Sequence, residues 1–485
     1  MQSTYNPLTP ELIEELQTIV GRPYVIHGDS EKLEPFSHDE VPDRKYAHMP
    51  EAVVRPRTAQ EISAIMRLAN RCRIPVTPRG AGSGLSGGAV PLYGGIVLLC
   101  DRMNQILDID RENMMIVVEP GVITNDINDA IRPFGLFYAG YPMSMETCYI
   151  GGNVAENAGG GKAVKYGVTG RYVTGMEIVT PTGDIVVMGG KLVKDVTGYN
   201  LIGLMVGSEG TLGIFTKITL RLLPLPKASV DLLCLFTTAQ DAIQAVPTIA
   251  TTAGIIPTGI EFMDRRSVHA ACSYLNESLP YEKCGAMLLI TIDGPDIDQV
   301  TREYEAVGEA CIQAGATEVF VADNRTTSQR VWNVRKSIPE AFAQMTQQQA
   351  NEDLVVPPAA IPQLLAEMDR ISAKYDMEIP AYGHAGDGNL HTRIGKNPNW
   401  SLEQWHKTLP AVLEELYHFT ARLGGKISGE HGIGHKRKAY MPIFVSPQYI
   451  DMMRAVKQGL DPNNILNPGK IFDIVPAGAS SDSGQ

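Results

Sequence analysis

Three glycine-rich stretches in the first half of the chain constrain its fold more than any other feature. They span residues 80–95, 151–161 and 207–213 and are separated by strand-like segments such as 115–119. A single glycine-rich loop usually marks only a turn. Three of them in one region, none of low complexity, indicate a backbone that approaches a flat ligand closely. In the second stretch, asparagines stand among the glycines and are expected to offer hydrogen bonds to that ligand.

The first stretch contains Gly82-Ser-Gly-Leu-Ser-Gly87, which fits the G-x-G-x-x-G pattern of dinucleotide-binding folds. In those folds the pattern opens a helix. Here Gly87 is followed by Gly-Ala-Val-Pro91, and Gly94-Gly95 comes soon after, so no helix can start. Consecutive backbone N–H groups without Cβ atoms still form an anion-binding concavity. The stretch, entered through Pro78-Arg79-Gly80, therefore predicts a phosphate-binding loop outside a Rossmann unit.

Local patterns predict several elements. Residues 9–20 begin like a capped helix with proline at its first position, and residues 52–76 indicate a strand, a turn, a helix over 59–72 capped by Thr58, and a second strand. Residues 173–180 and 184–188 flank Pro-Thr-Gly and predict a hairpin.

The chain changes character at Leu223-Pro-Leu-Pro226, where glycine becomes sparser and strand and helix patterns alternate. We place the domain boundary there. The division is an N-terminal helical extension (1–44), a glycine-rich domain (45–225), a second domain (226–472) and a flexible tail (473–485).

Composition limits the class of protein. A chain of 485 residues exceeds one typical hydrophobic core, so two or more domains are expected. The net charge of −12 excludes a nucleic-acid surface. No apolar run approaches the roughly 18 residues of a membrane span, and the first residues lack a secretory signal. The seven cysteines form no C-x-x-C pair, which argues against an iron–sulfur cluster held by this chain and suits reduced thiols in a cytoplasm.

Two patches in the second domain carry four of the ten histidines: His384-Ala-Gly-Asp-Gly-Asn-Leu-His391 and Gly429-Glu-His-Gly-Ile-Gly-His435. A tight turn within the first patch can fold both of its imidazoles toward one point, and Glu430 arrives from a separate loop. Two imidazoles and a carboxylate are the ligand set of a catalytic divalent metal that keeps one position open. We predict that His384, His391 and Glu430 bind such a metal, with Zn²⁺ the preferred candidate and Mn²⁺ or Fe²⁺ the alternatives. The competing interpretation is a polar hairpin and a surface loop.

His431 is predicted to act as a general base and not as a ligand, because adjacent side chains diverge in an extended loop. Arg393 alternates onto the strand face of His391 and is predicted to reach the substrate. His435 is expected to be solvated beside Lys436-Arg-Lys438. The alternative is that it contacts one of the metal ligands without binding the metal itself.

The three glycine-rich stretches occur in an order that resembles the FAD-binding fingerprints of the vanillyl-alcohol oxidase / p-cresol methylhydroxylase superfamily. With the two histidine patches and Asp461-Pro-Asn-Asn-Ile-Leu-Asn-Pro-Gly-Lys470, the chain is similar to the GlcD branch over about residues 45–472. That branch contains the glycolate dehydrogenase catalytic subunit, D-lactate dehydrogenases and D-2-hydroxyglutarate dehydrogenase. The resemblance implies an α+β fold of two domains. An FAD-binding domain of the p-cresol methylhydroxylase type is followed by an α+β substrate domain built on an antiparallel sheet, and the segment 445–472 packs back on the first domain.

The resemblance also implies which residues bind FAD. They are Pro78, Arg79, Gly80, Ala81, Gly82, Ser83, Gly84, Ser86, Gly87, Gly88, Pro142, Ser144, Thr147, Gly151, Gly152, Asn153, Asn157, Ala158, Gly159, Gly160, Tyr166, Gly167, Glu209, Gly210, Gly213, Ile214 and Asn467. Some relatives carry the flavin on a histidine of the first glycine loop. Since this chain has no histidine between residues 49 and 268, its FAD is expected to be non-covalent.

The family's substrate arginine matches Arg335, for which a solvated helix arginine is the alternative. In 2-hydroxyglutarate dehydrogenases a lysine stands near the position of Asn351 and a threonine near that of Pro339. Their absence favours a smaller substrate, glycolate or D-lactate.

The expected activity is FAD-dependent, metal-assisted oxidation of a 2-hydroxy acid. Its electrons are expected to pass to an iron–sulfur partner subunit or a soluble carrier and not to oxygen. Such a protein is expected in the cytoplasm, and it would associate with a membrane only through its partner. Whether it forms a homodimer is left open. A subunit that only relays electrons and the superfamily's ether-lipid synthase, a transferase, are the alternatives.

Overall fold

The computed structural model describes residues 5–346 and 348–474, so most of the predicted tail lies outside the described residues. The helices are α1 (Pro10–Val20), α2 (Ser30–Leu33), α3 (Ala59–Cys72), α4 (Thr124–Ile131), α5 (Ile150–Glu156), α6 (Ala163–Tyr166), α7 (Leu201–Met205), α8 (Ala239–Thr248), α9 (Arg265–Leu275), α10 (Ile297–Gln313), α11 (Arg325–Lys336), α12 (Ile338–Met345), α13 (Ile361–Tyr375), α14 (Leu402–Arg422), α15 (Met441–Phe444) and α16 (Pro447–Leu460). Among the described residues, no helix combines the length and the apolar character needed to cross a bilayer.

Helices α1 and α3 form where their capping signals predict them. Thr9 accepts a hydrogen bond from the backbone of Leu12 at the start of α1, with Pro10 in the first turn. Thr58 does the same for Glu61 at the start of α3. Helix α3 then buries its apolar face and ends at Arg73 in the left-handed conformation.

The glycine-rich half contains two main sheets. The first is mixed and has the order β1 (Val25–His27), β2 (Ala52–Val54), β4 (Ile96–Leu99), β3 (Val76–Arg79). The second is antiparallel, in the order β5 (Ile106–Asp110), β6 (Met115–Val118), β10 (Ile214–Arg221), β8 (Val173–Val179), β9 (Ile185–Gly189). The predicted hairpin is confirmed as β8–β9. Strands β7 (Leu136–Phe137) and β11 (Leu223–Pro224) form a small separate pair. Parallel strands β3 and β4 are joined by residues 80–95 without a helix, as the rejection of a Rossmann unit requires.

A seven-stranded antiparallel sheet forms the centre of the second half, which confirms the predicted α+β class. Its order is β15 (Ala316–Ala322), β12 (Ala228–Phe236), β14 (Ala286–Gly294), β13 (Gly259–Asp264), β17 (Ala381–His384), β18 (Asn389–Gly395), β16 (Gln349–Val355). Buried residues of α8, α10, α13 and α14 pack on one face, and those of α9, α11 and α12 pack on the other.

The end of the chain returns to the first half. The backbone of Val76 donates to Ile465 and accepts from Asn467. Ile465 and Leu466 are buried in the same apolar cluster as strands β2, β3 and β4. These contacts bring the residues after α16 beside the first glycine-rich loop.

Candidate active site

A cavity of about 920 Å³ lies between the glycine-rich loops and the seven-stranded sheet. Its wall includes most of the residues predicted to bind FAD: Pro78, Arg79, Gly80, Ala81, Gly82, Ser83, Gly84, Gly88, Pro142, Ser144, Thr147, Gly151, Gly152, Asn153, Ala158, Gly159, Glu209, Gly210, Gly213 and Ile214. A Cβ added at Gly152 would meet no atom within 4 Å, and one at Gly84 would meet only Asp39, at 3.8 Å. The glycines therefore leave open space along the wall, and both the volume and the lining suit a large, flat cofactor such as FAD.

Seven of the predicted FAD residues do not line this cavity: Ser86, Gly87, Asn157, Gly160, Tyr166, Gly167 and Asn467. Some of them hold the framework instead. The hydroxyl of Tyr166 donates to Asp293 in the second half of the chain. The amide of Asn467 donates to the carbonyls of Gly88 and Glu209.

Each asparagine of the second stretch makes one hydrogen bond within the protein, and the bonds expected toward a ligand stay a prediction. Asn153 donates to Thr124. Asn157 accepts from the backbone of Gly170 and ends helix α5 in the left-handed conformation. Asn153 also lines the cavity, whereas Asn157 does not.

Two glycines of this stretch make room for carboxylates of the second domain. A Cβ on Gly161 would lie 2.7 Å from Oε1 of Glu261. A Cβ on Gly159 would lie 3.3 Å from Oε2 of Glu430. Close approach to these two carboxylates thus accounts for glycine at these positions.

The three predicted metal ligands come together, and two of them, His391 and Glu430, line the cavity. Oε1 of Glu430 lies 3.2 Å from Nε2 of His391 and 3.6 Å from Nε2 of His384. Nε2 of His384 is buried and has no hydrogen-bond partner among the described residues. Imidazole nitrogens and a carboxylate oxygen that face one another are the kind of ligand atoms that a divalent metal binds. These three residues therefore fit such an ion.

A buried carboxylate missed by the sequence analysis orients His384. Glu261 on β13 accepts from Nδ1 of His384 at 2.6 Å and is fully buried. Since a carboxylate can only accept, Nδ1 of His384 carries a proton, and Nε2 is the ring nitrogen that faces Glu430. Carboxylates commonly orient metal-binding histidines in this way. The signal available in the sequence was an acidic residue inside an apolar strand, Gly259-Ile-Glu-Phe-Met263.

Glu430 and His431 converge, so the prediction that these neighbours diverge is wrong. Nε2 of His431 lies 3.7 Å from Oε1 of Glu430, and the rings of His431 and His391 stack with centroids 5.2 Å apart. The reason is that the loop is not extended. The backbone N–H groups of residues 429–431 all point to the carboxylate of Asp353, a second residue that the sequence analysis missed.

The electrostatics of the cluster favour a cation. Burial opposes charge on His384, but the carboxylates of Glu261 and Glu430 outweigh it and raise the pKa of His384 well above its usual value. Burial likewise opposes charge on Glu430, but His384 and His391 hold the pKa of that carboxyl well below its usual value. Burial also lowers the pKa of His431 to about 4, so this imidazole is neutral near pH 7.

Both predicted substrate arginines line the cavity, in different states. Arg335 is buried and binds Glu261 through Nε and Nη2, at 2.7 and 2.6 Å, which excludes a solvated helix arginine. Arg393 donates to the hydroxyl of Tyr382 and to Gln349, and no carboxylate of the described residues pairs with it. The Arg393 guanidinium is therefore a cationic group of the cavity wall that no carboxylate of the described residues neutralises.

Lys436 and Arg437, which follow the second histidine patch, are buried and His435 is half-buried, so the expectation of a solvated His435 is wrong. Lys436 and Arg437 lie beside the buried carboxylate of Glu352. His435 packs edge-on against Tyr46. The charges are paired inside the protein because this loop is enclosed between the two halves of the chain.

Comparison with known proteins gives the family. Residues 225–471 match the family model described as FAD linked oxidases, C-terminal domain, and residues 50–189 match that of an FAD binding domain. The glycolate oxidase subunit GlcD of Bacillus subtilis is 40% identical over 465 residues, which are 96% of this chain and 97% of that protein. The D-lactate dehydrogenase of Anaerostipes hadrus is 39% identical, over 96% of this chain and 98% of that protein. The D-2-hydroxyglutarate dehydrogenase of Stutzerimonas stutzeri is 32% identical, over 96% and 99%.

Solved structures share the fold. p-Cresol methylhydroxylase superposes with a TM-score of 0.79 at 18% identity, covering 95% of this chain and 96% of that one. The 4-ethylphenol oxidase of Gulosibacter chungangensis gives 0.78 at 19% identity, covering 97% and 99%. The predicted fold and resemblance are confirmed: this chain belongs to the FAD-linked oxidases and is an oxidoreductase with an FAD-binding domain followed by that family's C-terminal domain.

Proposed function

We propose that this protein oxidises a small 2-hydroxy acid, glycolate or D-lactate, to the 2-oxo acid, using non-covalent FAD and a divalent metal. The observation that carries the proposal is the convergence of His384, His391, Glu430 and His431, the last three of which line the same cavity as the glycine loops. Relatives named for glycolate and D-lactate support the substrate class. Zn²⁺ is the preferred metal, with Mn²⁺ and Fe²⁺ as alternatives.

When bound, FAD supplies an acceptor for a hydride at its N5, and the metal supplies a Lewis acid that lowers the pKa of the substrate hydroxyl. His384, His391 and Glu430 would hold the metal. His431 is neutral and lines the cavity beside Glu430, so it is placed to take the hydroxyl proton on Nε2. Arg393 supplies the charge for the substrate carboxylate, and Arg335 contributes a guanidinium already shared with Glu261.

One observation favours a second candidate, D-2-hydroxyglutarate. Arg393 lies directly opposite Asn351 on the neighbouring strand. The Arg393 guanidinium therefore lies close to the position at which 2-hydroxyglutarate dehydrogenases have a lysine. From there it can bind the distal carboxylate of that substrate. A subunit that only relays electrons is disfavoured, because it needs neither metal ligands nor a base.

For reoxidation we propose an electron-accepting partner subunit, such as an iron–sulfur protein, or a soluble carrier. Two observations support this proposal. The GlcD relatives are named as subunits. The seven cysteines of this chain are all unpaired thiols without the C-x-x-C spacing of an iron–sulfur site. Reoxidation by oxygen should be slow and NAD⁺ should not be reduced. Hydrogen peroxide formed at the rate seen with an artificial dye would make the protein an oxidase instead.

The test is an anaerobic screen for flavin bleaching with glycolate, D-lactate, L-lactate and D-2-hydroxyglutarate. We expect bleaching by glycolate or D-lactate, and its absence with all four would overturn the proposal. Replacing His384, His391 or Glu430 by alanine should lower the amount of bound metal at least about tenfold. Even the loss of a residue that only hydrogen-bonds a metal ligand lowers metal affinity by about that factor. His418→Ala, an exposed histidine on α14, is the matched control.

A further inference from the structure

We infer that Asp353 is the positioning residue of this site: its one carboxylate shapes the loop that carries Glu430 and His431 and fixes which ring nitrogen of His391 and His431 faces the cavity. The inference rests on the proposed function for the roles of those three residues. The contacts that carry it do not depend on any ligand.

The carboxylate of Asp353 collects hydrogen bonds from both histidine patches. Oδ2 accepts from the hydroxyl of Ser428 at 2.7 Å. It also accepts from the backbone N–H groups of residues 429, 430 and 431, at 3.0, 3.0 and 2.8 Å. Oδ1 accepts from Asn389 in the hairpin between the first two histidines, at 2.7 Å. Successive N–H groups that point to one anion curl the backbone into a concavity, which is why Glu430 and His431 present their side chains to the same point.

The same carboxylate faces two imidazoles from behind. Nδ1 of His391 lies 3.6 Å from Oδ1, and Nδ1 of His431 lies 3.8 Å from Oδ2. The Nε2 atoms of both rings face Glu430 on the other side. The charge of Asp353 favours the proton on Nδ1 of each ring, whereas the charge of Glu430, which is nearer to His391, favours it on Nε2. A divalent metal held by Glu430 would offset the second effect, so the proton would then lie on Nδ1 while Nε2 of His391 binds the metal and Nε2 of His431 accepts a proton.

Asp353, His391 and His431 are also close enough together to form a metal site of their own. The hydrogen bonds argue against it. The two oxygens of Asp353 already accept five hydrogen bonds from the protein, and the residue is fully buried. Stripping those donors from a buried carboxylate would leave several N–H groups unsatisfied inside the protein, which destabilises the fold. The carboxylate therefore serves the loop and not an ion.

Asp353→Asn removes the charge with little change in shape. One amide oxygen can still accept from the loop. The amide nitrogen would then face Asn389, whose side-chain Oδ1 is buried without a partner and can accept after that side chain flips. Asp231→Asn is the matched control. Asp231 is also a buried carboxylate of the second domain, and it lies on β12, outside the proposed metal cluster. It accepts hydrogen bonds from the hydroxyls of Thr291 and Ser328.

The experiment is imidazole ¹⁵N NMR of the full-length chain stripped of metal by a chelator, with titration of Zn²⁺ into the same samples. His391→Asn and His431→Asn assign the signals. In the samples loaded with Zn²⁺ we expect both histidines to carry the proton on Nδ1 in the wild type and in Asp231→Asn. In Asp353→Asn we expect mixed tautomers and an affinity for Zn²⁺ about 10- to 100-fold lower. Unchanged tautomers and affinity in Asp353→Asn would overturn the inference.

The spectrum of the Zn²⁺-loaded wild type decides the tautomer even if Asp353→Asn fails to fold, since a proton on Nε2 of His391 or His431 in that sample also overturns the inference. This readout uses no substrate and no flavin chemistry. A protein that shows the expected tautomers and yet is not bleached by any 2-hydroxy acid would refute the proposed function alone.

Discussion

Replacing Glu261 by glutamine tests whether this residue links the substrate arginine to the metal ligands. Glu261 is fully buried, and one oxygen accepts from His384 while the other pairs with Arg335 at 2.6 Å. Glutamine keeps nearly the same shape but loses the charge. Its NH₂ group must face either the guanidinium or the imidazole N–H, both of which are donors.

The expected loss of stability in Glu261→Gln follows from the burial of Glu261 and Arg335. Removing one partner of a buried ion pair destabilises a protein by about 3–5 kcal/mol, because the other charge is left unpaired in a low dielectric. For a domain the size of the second half of this chain, that lowers Tm by roughly 6–20 °C. Loss of the acceptor for His384 should also weaken metal binding about 10- to 100-fold.

Calorimetry of the metal-free protein and a Zn²⁺ titration measure the two effects separately. The double variant Glu261→Gln/Arg335→Met should recover most of the lost Tm, since no buried charge is then unpaired, but it should not recover the metal affinity. Glu415→Gln is the control. Its partners Arg370 and Lys374 are half-exposed, so solvent already screens that ion pair and a far smaller change is expected. Equal losses of Tm in Glu261→Gln and Glu415→Gln would refute the reasoning.

Four further outcomes are expected. His431→Ala should keep metal and FAD yet slow flavin reduction about 10²–10⁴-fold in stopped flow, and a wild-type rate would remove this residue from the mechanism. Gly161→Ala should lower metal content by displacing Glu261, whereas Gly152→Ala, whose Cβ meets open cavity, should spare the metal and weaken FAD binding about 5- to 150-fold; the reverse pattern would contradict the assignment of the cavity. Acid precipitation should release the flavin, and colour that stays with the protein would show a covalent link. Burial lowers the pKa of Lys470 to about 7. Between pH 7 and 10 the unfolded chain therefore binds more protons than the folded one at this residue, and the stability of the wild type should rise relative to Lys470→Met by up to about 1.4 kcal/mol per pH unit; parallel stability curves would rule this out.

Local patterns in the sequence were sufficient for several parts of this protein. Capping residues and periodicity predicted α1 and α3 and the β8–β9 hairpin, because those elements depend on neighbours a few residues away. Glycine followed by proline excluded a Rossmann helix after residue 87 for the same reason. The two histidine patches supplied the ligand chemistry, since each is a short motif around a turn. The resemblance of the glycine stretches then supplied the fold.

What only the tertiary structure decided is how these ligands are held. Glu261 meets His384 because β13 pairs with β17, and Asp353 meets His391 because β16 pairs with β18. The first pair is separated by 123 residues along the chain. Such registers depend on the packing of the whole sheet, and no local periodicity encodes them. Packing against the first domain likewise buried a basic run that composition alone would leave in solvent, because there its charges find Glu352.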